Sequence, residues 1–115
     1  MFSFQPEVFD FLSKNVTGRI ATATCDGIPH IAAVSYVNDD KQVYLCTMKK
    51  SKKARNLREN SGVAFIVDDS LGESGWRYVI LEGSAEPVTD AHEFGIIRNL
   101  LYRKYPSWES AFGIY

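Results

Sequence analysis

The sequence predicts a mainly-β chain with added α-helix: a small antiparallel β-barrel with flanking helices. Three observations predict it. Short β-rich segments follow one another closely, joined by turn signals at Asp26-Gly27 and Asn38-Asp39-Asp40. Helical patterns interrupt the strands once and otherwise bracket them, unlike the regular alternation that builds a parallel α/β sheet. A chain of 115 residues with 45% hydrophobic content supplies one modest core, so residues 1–115 are expected to form a single domain.

The elements follow in order. Phe4, Val8, Phe11 and Leu12 recur at helical spacing and Pro6 sits where a first turn tolerates it, which predicts a helix over Pro6–Lys14. Arg19–Cys25, Ile28–Val37 and Gln42–Thr47 are predicted strands, and the tight turns between them make an antiparallel meander. Ser51 is a good N-cap for a helix over Lys52–Asn60, which Asn60-Ser61-Gly62 ends. Val63–Asp68 is almost unbrokenly apolar and is expected to be buried on both faces. After the polar Asp69–Gly75, a long strand is expected over Trp76–Pro87, with a bend or bulge at Gly83. Asp90 and Glu93 fit a capping box for a last helix whose apolar stripe is Phe94, Ile97, Leu101 and Tyr105, and Pro106 ends it. Ser107–Tyr115 is an aromatic tail without a clear period.

Charge narrows the function. The formal net charge of −1 gives no global attraction to nucleic acid. Locally the balance differs: Lys49, Lys50, Lys52, Lys53, Arg55 and Arg58 fall in one stretch with no acid between them. On composition alone such a run is a solvated helix face. Its position argues for more. A strand ending at Thr47 and a helix starting near Ser51 put unpaired N–H groups and the positive end of a helix dipole at one point, which attracts phosphate. Thr47 and Ser51 add hydroxyls there, and Lys52 and Lys53 add charge.

Here the chain resembles the pyridoxamine 5′-phosphate oxidase-like, FMN-binding split-barrel family. In that family a strand ends in Thr; after three intervening residues come Ser, a basic residue and Lys, opening a helix that contains Asn-Leu. Thr47, Ser51, Lys52, Lys53 and Asn56-Leu57 stand in those places. Gly18-Arg19-Ile20-Ala21-Thr22, Asp26-Gly27-Ile28-Pro29-His30 and Val34-Ser35-Tyr36 are similar to its opening strands. By order of elements the resemblance covers roughly Phe4–Tyr105, and its motifs are sharp over Arg19–Asp68. It implies a small antiparallel split β-barrel that works as a homodimer, with FMN between protomers. Thr47, Ser51, Lys52 and Lys53 would hold phosphate and ribityl oxygens. His30, Ile31, Ala32, Ala33 and Val34 would line the flavin ring, partly through backbone groups. Cys46 would lie beside the ribityl chain, Asn56 would order the turn, and Trp76 of the second protomer, with Arg77, Tyr102 or Trp108, would cover the ring. The oxidase's C-terminal Arg-and-His substrate motif has no counterpart, so vitamin B6 oxidation is not expected. Many relatives add a strand after the last helix; the tail here implies a barrel closed differently or shortened.

The expected activity is therefore an FMN-dependent oxidoreductase acting on a small molecule, with reduced nicotinamide or another compound as electron donor. The alternatives are a non-catalytic FMN-binding electron carrier and, within the same fold, a deazaflavin- or haem-binding barrel. A nucleic-acid-binding barrel using Tyr36, Tyr44 and Phe65 as stacking platforms fits the charge poorly. No apolar run approaches the ~18 residues that span a bilayer, and Met1–Pro6 lacks a signal-peptide pattern, so a cytoplasmic protein without membrane contact is expected. Cys25 and Cys46 show no metal-ligand spacing and are expected as two buried, reduced thiols. Neither Asp68-Asp69 nor His92 suggests a metal site or a catalyst.

Overall fold

Pro6 at N1 starts the first helix, α1 (Pro6–Lys14), which buries Phe11 and Leu12 and leaves its charged face to solvent. The computed structural model describes residues 2–69, 77–107 and 112–115. After α1 the chain forms β1 (Gly18–Ala23), β2 (Pro29–Asn38) and β3 (Val43–Met48), then α2 (Lys52–Glu59), β4 (Gly62–Asp69), β5 (Arg77–Ser84), α3 (Ala91–Lys104) and β6 (Phe112–Ile114). The β1–β2 hairpin needs its glycine: Gly27 has φ +85°, and its N–H donates to the Thr24 carbonyl at 2.9 Å. No described helix is long and apolar enough to cross a membrane.

The strands form one six-stranded sheet in the order β5-β4-β1-β2-β3-β6, with every neighbouring pair antiparallel. β2 carries the split. Its first part pairs with β1 (Ala23↔Pro29 to Gly18↔Val34), and its ladder with β3 begins only at Ser35↔Cys46. Two clusters fill the interior. One joins Phe11 and Leu12 of α1 to Ile20, Tyr36, Leu45, Leu57, Phe65 and Val67. The other packs Ile97 and Leu101 of α3 on Val37, Tyr44, Cys46 and Ile114.

Four expectations change. The tail contributes β6, paired with β3 through Cys46↔Ile114 and Thr47↔Gly113, so the strand after the last helix is present. Three residues are too few to show a period. The register of β4 and β5 runs without interruption from Gly62↔Ser84 to Asp69↔Arg77, so Gly83 makes no bulge, and β5 stops at Ser84. In β4 only Phe65 and Val67 are buried; Ala64 and Ile66 on the other face are half-exposed. Cys46 is buried, but Cys25, at the hairpin tip, is exposed.

Candidate cofactor site

The turn between β3 and α2 is built from its hydroxyls. Thr47 is buried at the end of β3. Its Oγ1 lies 3.0 Å from Ser51 Oγ, which also accepts the Ala54 N–H at 3.2 Å as the N-cap of α2. The first intrahelical bond runs from Arg55 N to Ser51 O at 3.0 Å. The N–H groups of Lys52 and Lys53, ahead of it, remain as donors to solvent or a ligand. The Lys52 side chain is exposed and that of Lys53 half-buried. Arg58 Nη1 donates to the Lys49 carbonyl at 3.1 Å and pins the loop from below. Among the described residues none of the six basic side chains from Lys49 to Arg58 sits in an ion pair. The turn thus carries concentrated, uncompensated positive charge beside free N–H donors, the arrangement that receives a phosphate.

Asn56 lies on the sheet-facing side of α2. It is buried, and its Nδ2 donates to Thr22 Oγ1 at 3.0 Å, tying α2 to β1. Thr22 was not singled out from the sequence. Its signal was indirect: an Asn between Ala54 and Leu57 on a buried helix face requires a polar partner somewhere in the sheet.

His30 pairs with Thr22 across β1 and β2. Its Nδ1 is buried and has no hydrogen-bond partner among the described residues. Such an atom is costly unless a ligand or water meets it, so it fits a site that receives a polar molecule. The other β2 residues alternate. Ile31 and Ala33 are exposed on the outer face, Ala32 is half-buried, and the Val34 side chain is in the core, leaving only backbone for a ligand. Cys46 is not brought to the turn; its side chain packs under α3. Trp76 and Trp108 lie outside the described residues. Arg77 is held by Asp69 at 3.1 Å, with its guanidinium 5.2 Å from the Phe11 ring centre.

A phosphate-receptive turn at the seam of an antiparallel barrel split along β2 defines the split-barrel class. The profile of the pyridoxamine 5′-phosphate oxidase family matches residues 4–113. The chain belongs to that family. It is 32% identical over 91 residues to a 5a,11a-dehydrotetracycline/5a,11a-dehydrooxytetracycline reductase of Streptomyces rimosus subsp. rimosus; the match takes in 74% of this chain and spans 64% of that relative's length. Its structure is similar to that of a conserved hypothetical protein, Rv2991, from Mycobacterium tuberculosis (TM-score 0.82, 27% identity, 99% of this chain and 79% of that one). It is similar also to an FAD-binding protein from Mesorhizobium loti (TM-score 0.75, 25% identity, 98% and 88%). The haem storage protein HutZ of Vibrio cholerae shares the fold at TM-score 0.80 and 16% identity, over 98% of this chain and 87% of that one.

Proposed function

We propose that this chain is an FMN-dependent oxidoreductase that binds its cofactor at a homodimer interface and reduces a small molecule. The observation that carries the proposal is the Thr47–Lys53 turn, with two hydroxyls 3.0 Å apart, two free N–H groups and uncompensated lysines. The reductase name of the Streptomyces relative and the flavin named for the Mesorhizobium neighbour support the redox reading.

When bound, FMN supplies the hydride or electron chemistry. The chain's own residues bind and orient. Thr47, Ser51, Lys52 and Lys53 hold the phosphate end by charge-assisted bonds. Asn56, bonded to Thr22, keeps α2 in register with β1 so that those donors converge. The β2 backbone from Pro29 to Val34, not yet laddered to β3, offers groups to the ring edge, and His30 Nδ1 offers one more. A partner protomer would exclude water by covering the outer face. That face suits the role: cross-strand neighbours Ala33, Arg19, Ile66 and Ile80 form one row, and Ile31, Ala21, Ala64 and Glu82 the next. Ile31 is 67% exposed and Ile80 52%, which marks an apolar surface awaiting cover. A reduced nicotinamide is the proposed electron donor.

The test is the absorption spectrum and released-cofactor mass of the purified protein. A band near ~450 nm and the mass of FMN are expected; a sharp Soret band would give the site to haem instead. Reduced nicotinamide should then be consumed with an acceptor present; flavin without turnover would make the protein an electron carrier. The double variant Ser51→Ala with Lys53→Ala should bind FMN more weakly by several kcal/mol, at about 1.5–3 kcal/mol for each lost charge-assisted bond. Unchanged affinity would remove the turn from the site.

A further inference from the structure

We propose that the cavity between the end of β5 and the start of β3 is a second ligand site, which takes a small apolar molecule carrying a positive charge. β5 and β6 end the sheet order and do not pair among the described residues. Beside Tyr115, between the end of β5 and the start of β3, lies a cavity of about 690 Å³, within the ~300–1,000 Å³ typical of small-molecule pockets. It lies toward the start of β3, at Lys41–Leu45, whereas the phosphate-receptive turn follows the end of that strand.

The deep wall of the cavity is core. Leu45, Val63, Phe65, Leu81 and Tyr115 line it, and each belongs to or packs against the first hydrophobic cluster. The opening has a definite cause. Along β5, Val79, Leu81 and Gly83 alternate inward, opposite Val67, Phe65 and Val63 of β4. The row ends in a missing side chain: nothing lies within 4 Å of where a Cβ on Gly83 would be. Interiors normally close to crystal-like density, whereas this one opens at Gly83 onto apolar wall that a ligand would cover.

The rim is fixed and charged. The segment from Ala85 to Asp90 borders the cavity, held by Ala85 N to Ser61 O and Val88 N to Ile114 O, both 2.9 Å. Three carboxylates stand at the rim of the cavity, at Glu86, Asp90 and Glu93, against one cation, Lys41, while Glu82 alternates to the outer face opposite Ala64. Asp90 is occupied in capping α3. Glu86 and Glu93 are exposed and take part in no ion pair among the described residues. Carboxylates above an apolar wall focus a negative potential, which attracts a cation and repels an anion. The sign is opposite to that of the Thr47–Lys53 turn, so one phosphate-bearing cofactor does not explain both places.

The probes are proflavine, a flat aromatic cation, and anilinonaphthalene sulfonate, an anion of similar apolar size. They are titrated into the protein as purified and followed by amide chemical shifts. Proflavine should saturate and shift the Val63, Gly83 and Val88 amides, with the sulfonate weaker there by about tenfold or more. Gly83→Leu should weaken proflavine by a similar factor. Glu86→Lys with Glu93→Lys, both at exposed positions, should reverse the preference between the probes, and decides the matter alone if Gly83→Leu does not fold. The proposal is overturned if proflavine does not saturate, if the shifts map elsewhere, if the anion binds as well as the cation, or if the charge-reversed variant keeps the parent's preference. Ser51→Ala with Lys53→Ala should leave proflavine binding unchanged, so failure here and failure of the FMN assignment are separable.

Discussion

Lys104 shows what surroundings do to a single residue. Its Nζ lies 3.8 Å from the centre of the Tyr36 ring and 3.3 Å from the Leu12 carbonyl oxygen, with no ion-pair partner among the described residues. Burial pulls its pKa from 10.5 down to about 8. A base with a lowered folded pKa binds fewer protons folded than unfolded across that window, so Lys104 makes the fold more stable as pH rises from about 8 toward 10.5. Burial pushes the Tyr36 and Tyr105 phenols up, and they work the other way, costing stability as pH climbs above 10. The melting temperature should therefore climb a few degrees between pH 8 and 10 and then fall. Lys104→Met should flatten the climb and keep the fall; identical profiles for the two proteins would refute this account. None of it is legible in sequence, where Lys104 is one more basic residue in a last helical turn. Ser51 is the contrary case. A Ser just before a run of helix formers names its own role, and Ser51→Ala should lower stability by about 1 kcal/mol in denaturant titration, apart from any effect on cofactor.

At the scale of elements, local signals read well and long-range ones poorly. The first helix is legible over Pro6–Lys14, where it is found, because Pro6 and the apolar spacing are both local. The end of β5 is not legible, because nothing in sequence before Pro87 marks Ser84 as the point where the ladder with β4 stops. β6 escaped notice because its existence rests on a partner strand some sixty residues earlier. What holds α1 in place was equally hidden. The Tyr36 hydroxyl lies 2.6 Å from the Leu12 carbonyl and 2.9 Å from that of Asn15, and the Tyr105 hydroxyl donates to Val16 at 2.6 Å. Two phenols thus tie down the carbonyls at and just beyond the end of α1, some of which the helix cannot satisfy itself. Tyr36→Phe should cost about 1–3 kcal/mol and speed amide exchange in α1 before any other element; uniform exchange would show that the phenol is not its anchor. Gly18 sets a second constraint between elements, since a Cβ there would fall on the Phe65 ring. Gly18→Ala should destabilise by about 1–3 kcal/mol through overpacking, visible as a lowered denaturation midpoint.

For the whole molecule, the barrel and the elements that build the β3–α2 turn are legible because β1 to α2 are consecutive and short-range. The facing of the β2 residues is not. Strand alternation sends Ile31 and Ala33 to the outer face while Val34 joins the core, so the run from His30 to Val34 could not all serve one ligand through side chains. If the outer face is the dimer interface, Ile31→Glu with Ile80→Glu should give a species of 13.0 kDa by light scattering in place of twice that mass, and should retain less flavin. A dimer that persists would move the interface elsewhere. The two thiols have a practical consequence of their own. Cys25 stands exposed on a hairpin tip, and Cys46 lies sealed beneath α3. A maleimide applied to the native protein should take one equivalent, at the tip, and a second only when the α3 core opens. The chain therefore carries a built-in clock for that opening, and a spectroscopic label can be placed on the folded protein without changing a residue.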